Sequence, residues 1–137
     1  MRWLVLAAAL ACVHASGVAQ EAASSAPPGP FMVFFDWGKP DLRSDDAATL
    51  DQVAVAYRTR RAAHLRIAGH TDRSGSAAHN RRVGLRRAAL VRDELERRGV
   101  PRNAMSIASF GEDRPLVPTE DGVREVQNRR VVIGFEE

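Results

Sequence analysis

Cysteine is almost absent from this chain, which has one such residue, Cys12, among 137. A lone cysteine excludes an intramolecular disulfide. The chain does not need one, because a protein of 15.0 kDa can bury the core of one ordinary domain without metals or disulfides. We therefore expect a single domain that is stabilised by packing.

The chain also lacks a large excess of charge of one sign. Its 20 basic residues are interleaved with 17 acidic ones, and the formal net charge is +3. All the basic residues except Lys39 are arginines. Nucleic-acid binding usually requires a patch of one sign. We therefore expect solvated faces of mixed charge and no nucleic-acid partner.

The apolar run at the N-terminus is too short and too rich in alanine for a good membrane span. The N-terminus has instead the layout of a secretory signal, in which one positive charge is followed by a short apolar stretch and then by small residues. Cleavage after Ala19, or after Ala15, would remove Cys12, and we take residues 1–19 as the signal peptide. The alternative is lipidation of Cys12, which would anchor the protein to a membrane. Both routes export the protein.

Residues 20–30 have no apolar periodicity and are rich in small residues and proline, which predicts a linker before a domain at residues 31–137. The domain opens with Phe31–Asp36, a mainly apolar run that favours a strand buried on both faces. Ser44 is predicted to cap a first helix, whose first turn carries Asp45 and Asp46. Helical spacing places one apolar face on this helix, made of Ala47, Leu50, Val53, Ala54 and Tyr57.

The rest of the domain shows the same alternation of element types. The predicted elements are a strand at His64–Gly69, a helix from about Ala77 to Arg98 with Ser76 as its cap and Gly99 after its end, a strand at Met105–Ser109, and a strand at Val131–Phe135. The order β-α-β-α-β-β predicts an α/β fold, an α+β sandwich in which two main helices pack on a small mixed sheet.

The stretch Ile67–Gly75 is an apolar strand that runs into a polar loop flanked by glycines. Loops between a strand and a helix often carry binding chemistry. This loop offers the carboxylate of Asp72, and the following helix offers the guanidinium of Arg87. One stripe of that helix holds residues separated by four, three and four positions, namely Asn80, Gly84, Arg87 and Val91. We therefore expect a pocket that can hold both signs of charge.

These residues also admit purely structural interpretations. Asp72 could cap the following helix or form a salt bridge with Arg73, and Arg87 could be a structural ion-pair partner of Asp72. We interpret His70 as structural, with its side chain bonded to backbone near the loop.

Two chemical alternatives are weaker. His70, Asp72 and His79 could hold a metal ion, but their spacing is not a known ligand pattern. Ser74 and Ser76 lie near a histidine and an aspartate, yet no Gly-x-Ser-x-Gly elbow is present to orient a nucleophile. We therefore expect a binding protein rather than an enzyme, with no metal and no cofactor.

Several short motifs occur in order along residues 31–137. They are Val33–Asp36, the sequence Gly69-His70-Thr71-Asp72 with Gly75, Asn80 followed by Val83–Ala88, Phe110–Glu112, and Asn128–Val131. Together they resemble the OmpA-like peptidoglycan-binding domain, a family shared by outer-membrane protein A, peptidoglycan-associated lipoprotein and flagellar stator proteins. The usual Gly-Arg pair four and three residues before the last motif's asparagine is Arg124-Glu125 here, so we assign no role to Arg124.

The resemblance implies a ligand, the free end of meso-diaminopimelate in the peptidoglycan stem peptide, which carries an ammonium and a carboxylate on one carbon. Asp72 would bind the ammonium, and Arg87 would bind the carboxylate. The resemblance further implies a polar wall and a facing loop, which add Thr71, Ser74, Asn80, Arg129, Asp36 and Gly38 to the predicted site. The domain would tether the envelope to the wall in the periplasm, with a membrane contact if Cys12 is lipidated. Envelope proteins are further partners to consider, and a periplasmic adaptor that has lost peptidoglycan binding is the alternative function.

Overall fold

The structure is a computed structural model that describes residues 29–60 and 63–136. The predicted signal peptide, Cys12 and residues 20–28 of the predicted linker lie outside these residues. Within the described part of the chain, no helix has the length and apolar character that a membrane span requires.

Four strands and two main helices form the domain in the predicted order. The elements are β1 (Phe31–Phe34), α1 (Ser44–Thr59), β2 (His64–His70), α2 (Ala77–Arg97), β3 (Met105–Gly111) and β4 (Arg130–Glu136), with short 3-10 turns at Arg102–Ala104 and Val126–Asn128. The strands lie in the order β1-β4-β2-β3. Strand β4 is antiparallel to both β1 and β2, whereas β2 and β3 are parallel. The predicted mixed sheet and α/β fold are therefore confirmed.

The core lies between the helices and the sheet. The sheet contributes alternate strand residues, among them Val33, Leu65, Ile67, Val131 and Ile133, as expected for a sheet with one buried face. The helices contribute Leu50, Val53 and Ala54 from α1 and Ala88, Val91 and Leu95 from α2. The cluster thus joins residues of both helices to the same strands.

Three details of the first third of the domain differ from the sequence prediction. Strand β1 is an edge strand, and Val33 is its one fully buried residue, so the expectation of a strand buried on both faces is wrong. The predicted apolar face of α1 is correct except for Ala47, which is exposed, while the neighbouring Asp46 is buried. Ser44 is also not the cap, because the N-cap residue is Arg43 and no side chain caps this helix.

Helix α2 begins and ends as the sequence predicts. The Ser76 hydroxyl accepts a hydrogen bond from the backbone N–H of His79 at 3.2 Å. Gly99 follows the helix with φ of 95°, a conformation that glycine adopts without strain.

The backbones of α2 and β2 touch where two glycines meet. A Cβ on Gly69 would lie 1.8 Å from the carbonyl oxygen of Gly84, so only glycine fits at Gly69 with this packing. The contact presses the middle of α2 against the carboxyl end of β2. Asn80 and Arg87, one turn to either side of Gly84, are therefore held against the loop that follows β2.

Candidate functional site

Asp72 occupies the centre of the predicted site and is only 3% exposed. Its Oδ2 accepts a hydrogen bond from Arg129 Nη1 at 2.8 Å and one from the backbone N–H of Glu125 at 3.2 Å. Its Oδ1 accepts from the backbone N–H of Ser74 at 3.1 Å and from the Ser74 hydroxyl at 2.5 Å. The carboxylate therefore uses about four acceptor positions, which is its full capacity.

The partners of Asp72 keep it ionised despite its burial. Burial alone would raise the pKa of this carboxyl. The hydrogen bonds from Ser74, Arg129 and Glu125 outweigh that effect and lower the pKa below its usual value. The carboxylate of Asp72 is therefore buried and still carries a stable negative charge.

The topology of the sheet explains why Arg129 is the partner of Asp72. Strands β2 and β4 are antiparallel, and Gly69 pairs with Val131, so the end of β2 and the start of β4 meet at one edge of the sheet. Arg129 is further fixed by two bonds to Phe35, because its Nε donates to the Phe35 carbonyl and its own carbonyl accepts from the Phe35 N–H, both at 2.9 Å. Arg129 is thus a structural partner of Asp72.

Arg87 is a different kind of cation, since it has no carboxylate within ion-pair distance among the described residues. It is 7% exposed, its Nη1 donates a long hydrogen bond of 3.4 Å to the His70 carbonyl, and its buried Nε has no partner in the part of the chain that the structure describes. Its guanidinium carbon lies 5.1 Å from the centre of the Phe35 ring. Burial lowers its pKa to about 10, against an opposing effect of Asp72. The Arg87 guanidinium is therefore a positive charge whose hydrogen-bonding capacity is only partly used.

Neutral groups surround these charges. Asn80 Nδ2 donates to the Asp72 carbonyl at 3.2 Å and to the Gly75 carbonyl at 3.5 Å, which ties α2 to the loop. The Thr71 N–H donates to the Gly111 carbonyl at 2.8 Å, while its buried hydroxyl oxygen has no partner within residues 29–60 and 63–136. Both side chains are almost fully buried.

A cavity of about 410 Å³ opens beside these residues. Of the predicted site residues it brings together seven, which are Gly38, Thr71, Asp72, Ser74, Asn80, Arg87 and Arg129. Asp36 is not among the lining residues, and its exposed carboxylate instead lies 3.9 Å from Arg43 Nε. The cavity presents one carboxylate and several guanidiniums to a common space, so it can hold a small molecule that carries both signs of charge.

Trp37 and Arg124 form a wall that sequence reasoning missed. The guanidinium carbon of Arg124 lies 3.4 Å from the centre of the Trp37 ring, within cation–π range. Trp37 Nε1 donates to the Ser74 hydroxyl at 3.3 Å, and that hydroxyl in turn donates to Asp72. The signal for Trp37 was its place between the predicted residues Asp36 and Gly38. No local signal marked Arg124, because its partner is distant in sequence.

The loop that bears Arg124 is fastened at both ends. Arg73 forms an ion pair with Asp121, and its backbone carbonyl accepts from the Gly122 N–H at 2.8 Å. The Asn128 side chain accepts a hydrogen bond from the Val117 N–H and donates one to the Val117 carbonyl, each at 2.8 Å, so Asn128 has a structural role in this loop. Within the altered Arg124-Glu125 segment, Arg124 lines the cavity and the Glu125 N–H bonds Asp72.

The contacts of Asp72 and His70 differ from those that the purely structural interpretations predict. Asp72 does not cap α2, since Ser76 does, and its ion-pair partner is Arg129 rather than Arg73 or Arg87. The predicted bond of the His70 side chain to backbone is not found: its ring stacks on Phe110 with 5.4 Å between centroids, and its Nδ1 has no partner among the described residues. In the described residues, no group of three or more histidine, cysteine or acidic side chains could hold a metal ion.

Comparisons with solved structures find the same fold. The peptidoglycan-associated lipoprotein from Burkholderia pseudomallei matches with a TM-score of 0.71 and 30% identity, over 77% of this chain and 89% of that one. The C-terminal domain of MotB from Helicobacter pylori matches with a TM-score of 0.69 and 23% identity, over 80% of this chain and 85% of that one. The second likeness concerns the fold alone.

Comparisons of sequence identify the family. An "Outer membrane protein" of Gluconacetobacter diazotrophicus is 39% identical over 115 residues, which are 78% of this chain and 30% of that protein. A "Peptidoglycan-associated lipoprotein" of Rhizobium meliloti is 39% identical over 100 residues, which are 73% of this chain and 57% of that protein. This chain thus matches only part of the length of each relative. The model of the OmpA family matches residues 34–129, and the chain therefore belongs to the OmpA family.

Proposed function

We propose that this domain binds peptidoglycan non-covalently through the free end of meso-diaminopimelate. The observation that carries the proposal is the cavity of about 410 Å³ in which an ionised carboxylate and an unpaired guanidinium face a common space. A carbon that bears both an ammonium and a carboxylate is complementary to that pair. Relatives named for association with peptidoglycan support the same assignment.

Arg87 would bind the ligand carboxylate, because its buried Nε lacks a partner. A planar guanidinium can hold a carboxylate through two parallel hydrogen bonds. The resulting pair would also neutralise a charge that burial now disfavours. Ligand binding would thus complete an interaction that the free protein leaves unmade.

Asp72 would bind the ligand ammonium, but one of its present donors must give way. The Ser74 hydroxyl is the donor that can leave most easily, since rotation about one side-chain bond moves it while the backbone N–H remains. Asn80 and Thr71 would then lie beside the zwitterion. Two charge-assisted contacts of this type correspond to roughly micromolar affinity once the cost of association is included. Attachment to the wall would gain from many copies on one polymer.

We further propose that the protein acts in the cell envelope, exported to the periplasm, where it tethers the envelope to the wall. The names of the relatives support this location. A mature N-terminus determined by mass spectrometry would show whether Cys12 is removed or lipidated.

Sedimentation with isolated cell-wall sacculi tests the proposal. We expect the wild-type protein to pellet with the sacculi, and we expect Asp72→Asn and Arg87→Met to stay in the supernatant. Arg82→Ala is the matched control, because Arg82 is an exposed residue of α2 that does not line the cavity. Circular dichroism establishes that each variant is folded. Sacculi with amidated diaminopimelate should bind less, since the carboxylate partner of Arg87 is lost.

The saturated hydrogen bonding of Asp72 favours a second candidate, an adaptor domain of the same fold that does not bind peptidoglycan. In that case the wild-type protein would remain in the supernatant with every preparation of sacculi. If instead the wild type pellets and both site variants pellet equally well, peptidoglycan binding stands and the assigned site is wrong.

A further inference from the structure

A second cavity, of about 300 Å³, adjoins the first, and Arg87 lines both. The two cavities share four lining residues, Gly38, His79, Val83 and Arg87. The second is completed by Lys39, Pro40 and Arg86. A ligand that fills the first cavity can therefore extend into the second past the side chain of Arg87.

The second cavity is lined by cations and by no carboxylate. Lys39 and Arg86 are exposed, and neither has an acidic side chain within ion-pair distance in the part of the chain that the structure describes. Some other arginines of the described residues are paired with acidic side chains. Arg98 contacts Asp51 at 2.8 Å and Glu94 at 2.9 Å. Arg102 contacts Asp93 and Glu96, each at 3.1 Å. Lys39 and Arg86 thus keep their positive charges available to an anion that enters this cavity.

Arg87 adds a third positive group to the lining of the second cavity, although the carboxylate assigned to it is that of the zwitterionic end. This side chain is 7% exposed, and its buried Nε has no partner in the described part of the chain. A buried donor of this kind is costly unless a ligand satisfies it. Together with Lys39 and Arg86 it gives the second cavity three positive groups and no negative one.

We propose that the second cavity binds a second carboxylate of the same ligand, held by Lys39 and Arg86, while Asp72 and Arg87 hold the zwitterionic end in the first cavity. This inference rests on the proposed function. In a stem tripeptide, two carboxylates lie next to the zwitterion and share the required chemistry. They are the α-carboxylate of the γ-linked glutamate and the carboxylate at the other stereocentre of diaminopimelate.

Calorimetric titration of the purified 137-residue chain with synthetic L-alanyl-γ-D-glutamyl-meso-diaminopimelate tests the inference. The test variant is Lys39→Ala/Arg86→Ala. The control is Arg81→Ala/Arg82→Ala, which removes the same charge from exposed α2 residues that line neither cavity. Each exposed ion pair contributes up to about fivefold in affinity, so we expect a loss of roughly tenfold for the test variant and less than about twofold for the control.

Two further peptides, each amidated at one of the two carboxylates, identify which group enters the second cavity. Amidation of the correct carboxylate should weaken wild-type binding by the same factor and should abolish the difference between the wild type and the test variant. The inference is overturned if the test variant binds the parent peptide as tightly as the wild type does, if the control loses as much affinity, or if neither amidation removes the difference. Absence of any binding by the wild type would instead refute the proposed function itself.

Discussion

Replacement of Arg87 by methionine should stabilise the folded domain and abolish ligand binding. The side chain is a buried cation whose hydrogen bond to the His70 carbonyl is long, at 3.4 Å, and whose Nε is unpartnered. Its pKa, lowered to about 10, corresponds to a penalty on the charged form on the order of 3 kcal/mol at neutral pH. That value already includes the attraction of Asp72.

The interactions that methionine would lose are smaller. The hydrogen bond contributes about 1 kcal/mol, and the cation–π contact with Phe35 about 0.5–1 kcal/mol. Methionine retains the apolar contact with that ring. We therefore expect the free energy of unfolding to rise by about 1 kcal/mol, which in a domain of this size raises Tm by roughly 4 °C.

Urea denaturation at neutral pH, followed by circular dichroism, measures the change, and Arg129→Met is the matched comparison. Arg129 is paired with the buried Asp72 at 2.8 Å, and removal of one partner from a buried pair lowers the free energy of unfolding by about 3–5 kcal/mol. The two substitutions should therefore have opposite signs. If Arg87→Met destabilises the domain as Arg129→Met does, Arg87 is a structural cation and the reasoning that assigns it to a ligand is refuted.

Three further predictions concern stability, each measured by urea denaturation. Gly69→Ala should lower the free energy of unfolding by about 3 kcal/mol or more, because its Cβ would meet a helix carbonyl oxygen at 1.8 Å. Gly134→Ala, with nothing within 4 Å, should change it by less than about 0.5 kcal/mol, and equal losses would contradict the close packing. The pKa of His70 is lowered by burial to about 4, so the unfolded chain binds more protons and stability should fall as pH drops from 6.5 towards 4. His70→Phe should flatten that slope, and an unchanged slope would exclude His70 as its source. Asn128→Ala should lose two buried hydrogen bonds and about 2 kcal/mol, whereas the exposed Gln127→Ala should be neutral, and a neutral result for both would show that the loop is held by other contacts.

Features that depend on neighbours in sequence could be read from the chain alone. The helix α2 was predictable in its type, its cap at Ser76 and its end before Gly99, because periodicity, capping and a left-handed glycine are local properties. The same periodicity places Asn80 and Arg87 on one buried stripe. The edge position of β1 was not predictable, because strand order depends on pairings between distant segments.

The sequence by itself thus determined the types and order of the elements and the chemical groups of the candidate site. Only the tertiary structure decided how those groups pair. Asp72 bonds with Arg129, 57 residues away, and not with Arg87, because antiparallel pairing brings the end of β2 to the start of β4. The same folding turns Asp36 towards Arg43 and brings Arg124 onto Trp37. A contact between distant residues leaves no local pattern in the chain. Only the tertiary structure therefore shows that Arg87 has no acidic side chain within ion-pair distance among the described residues.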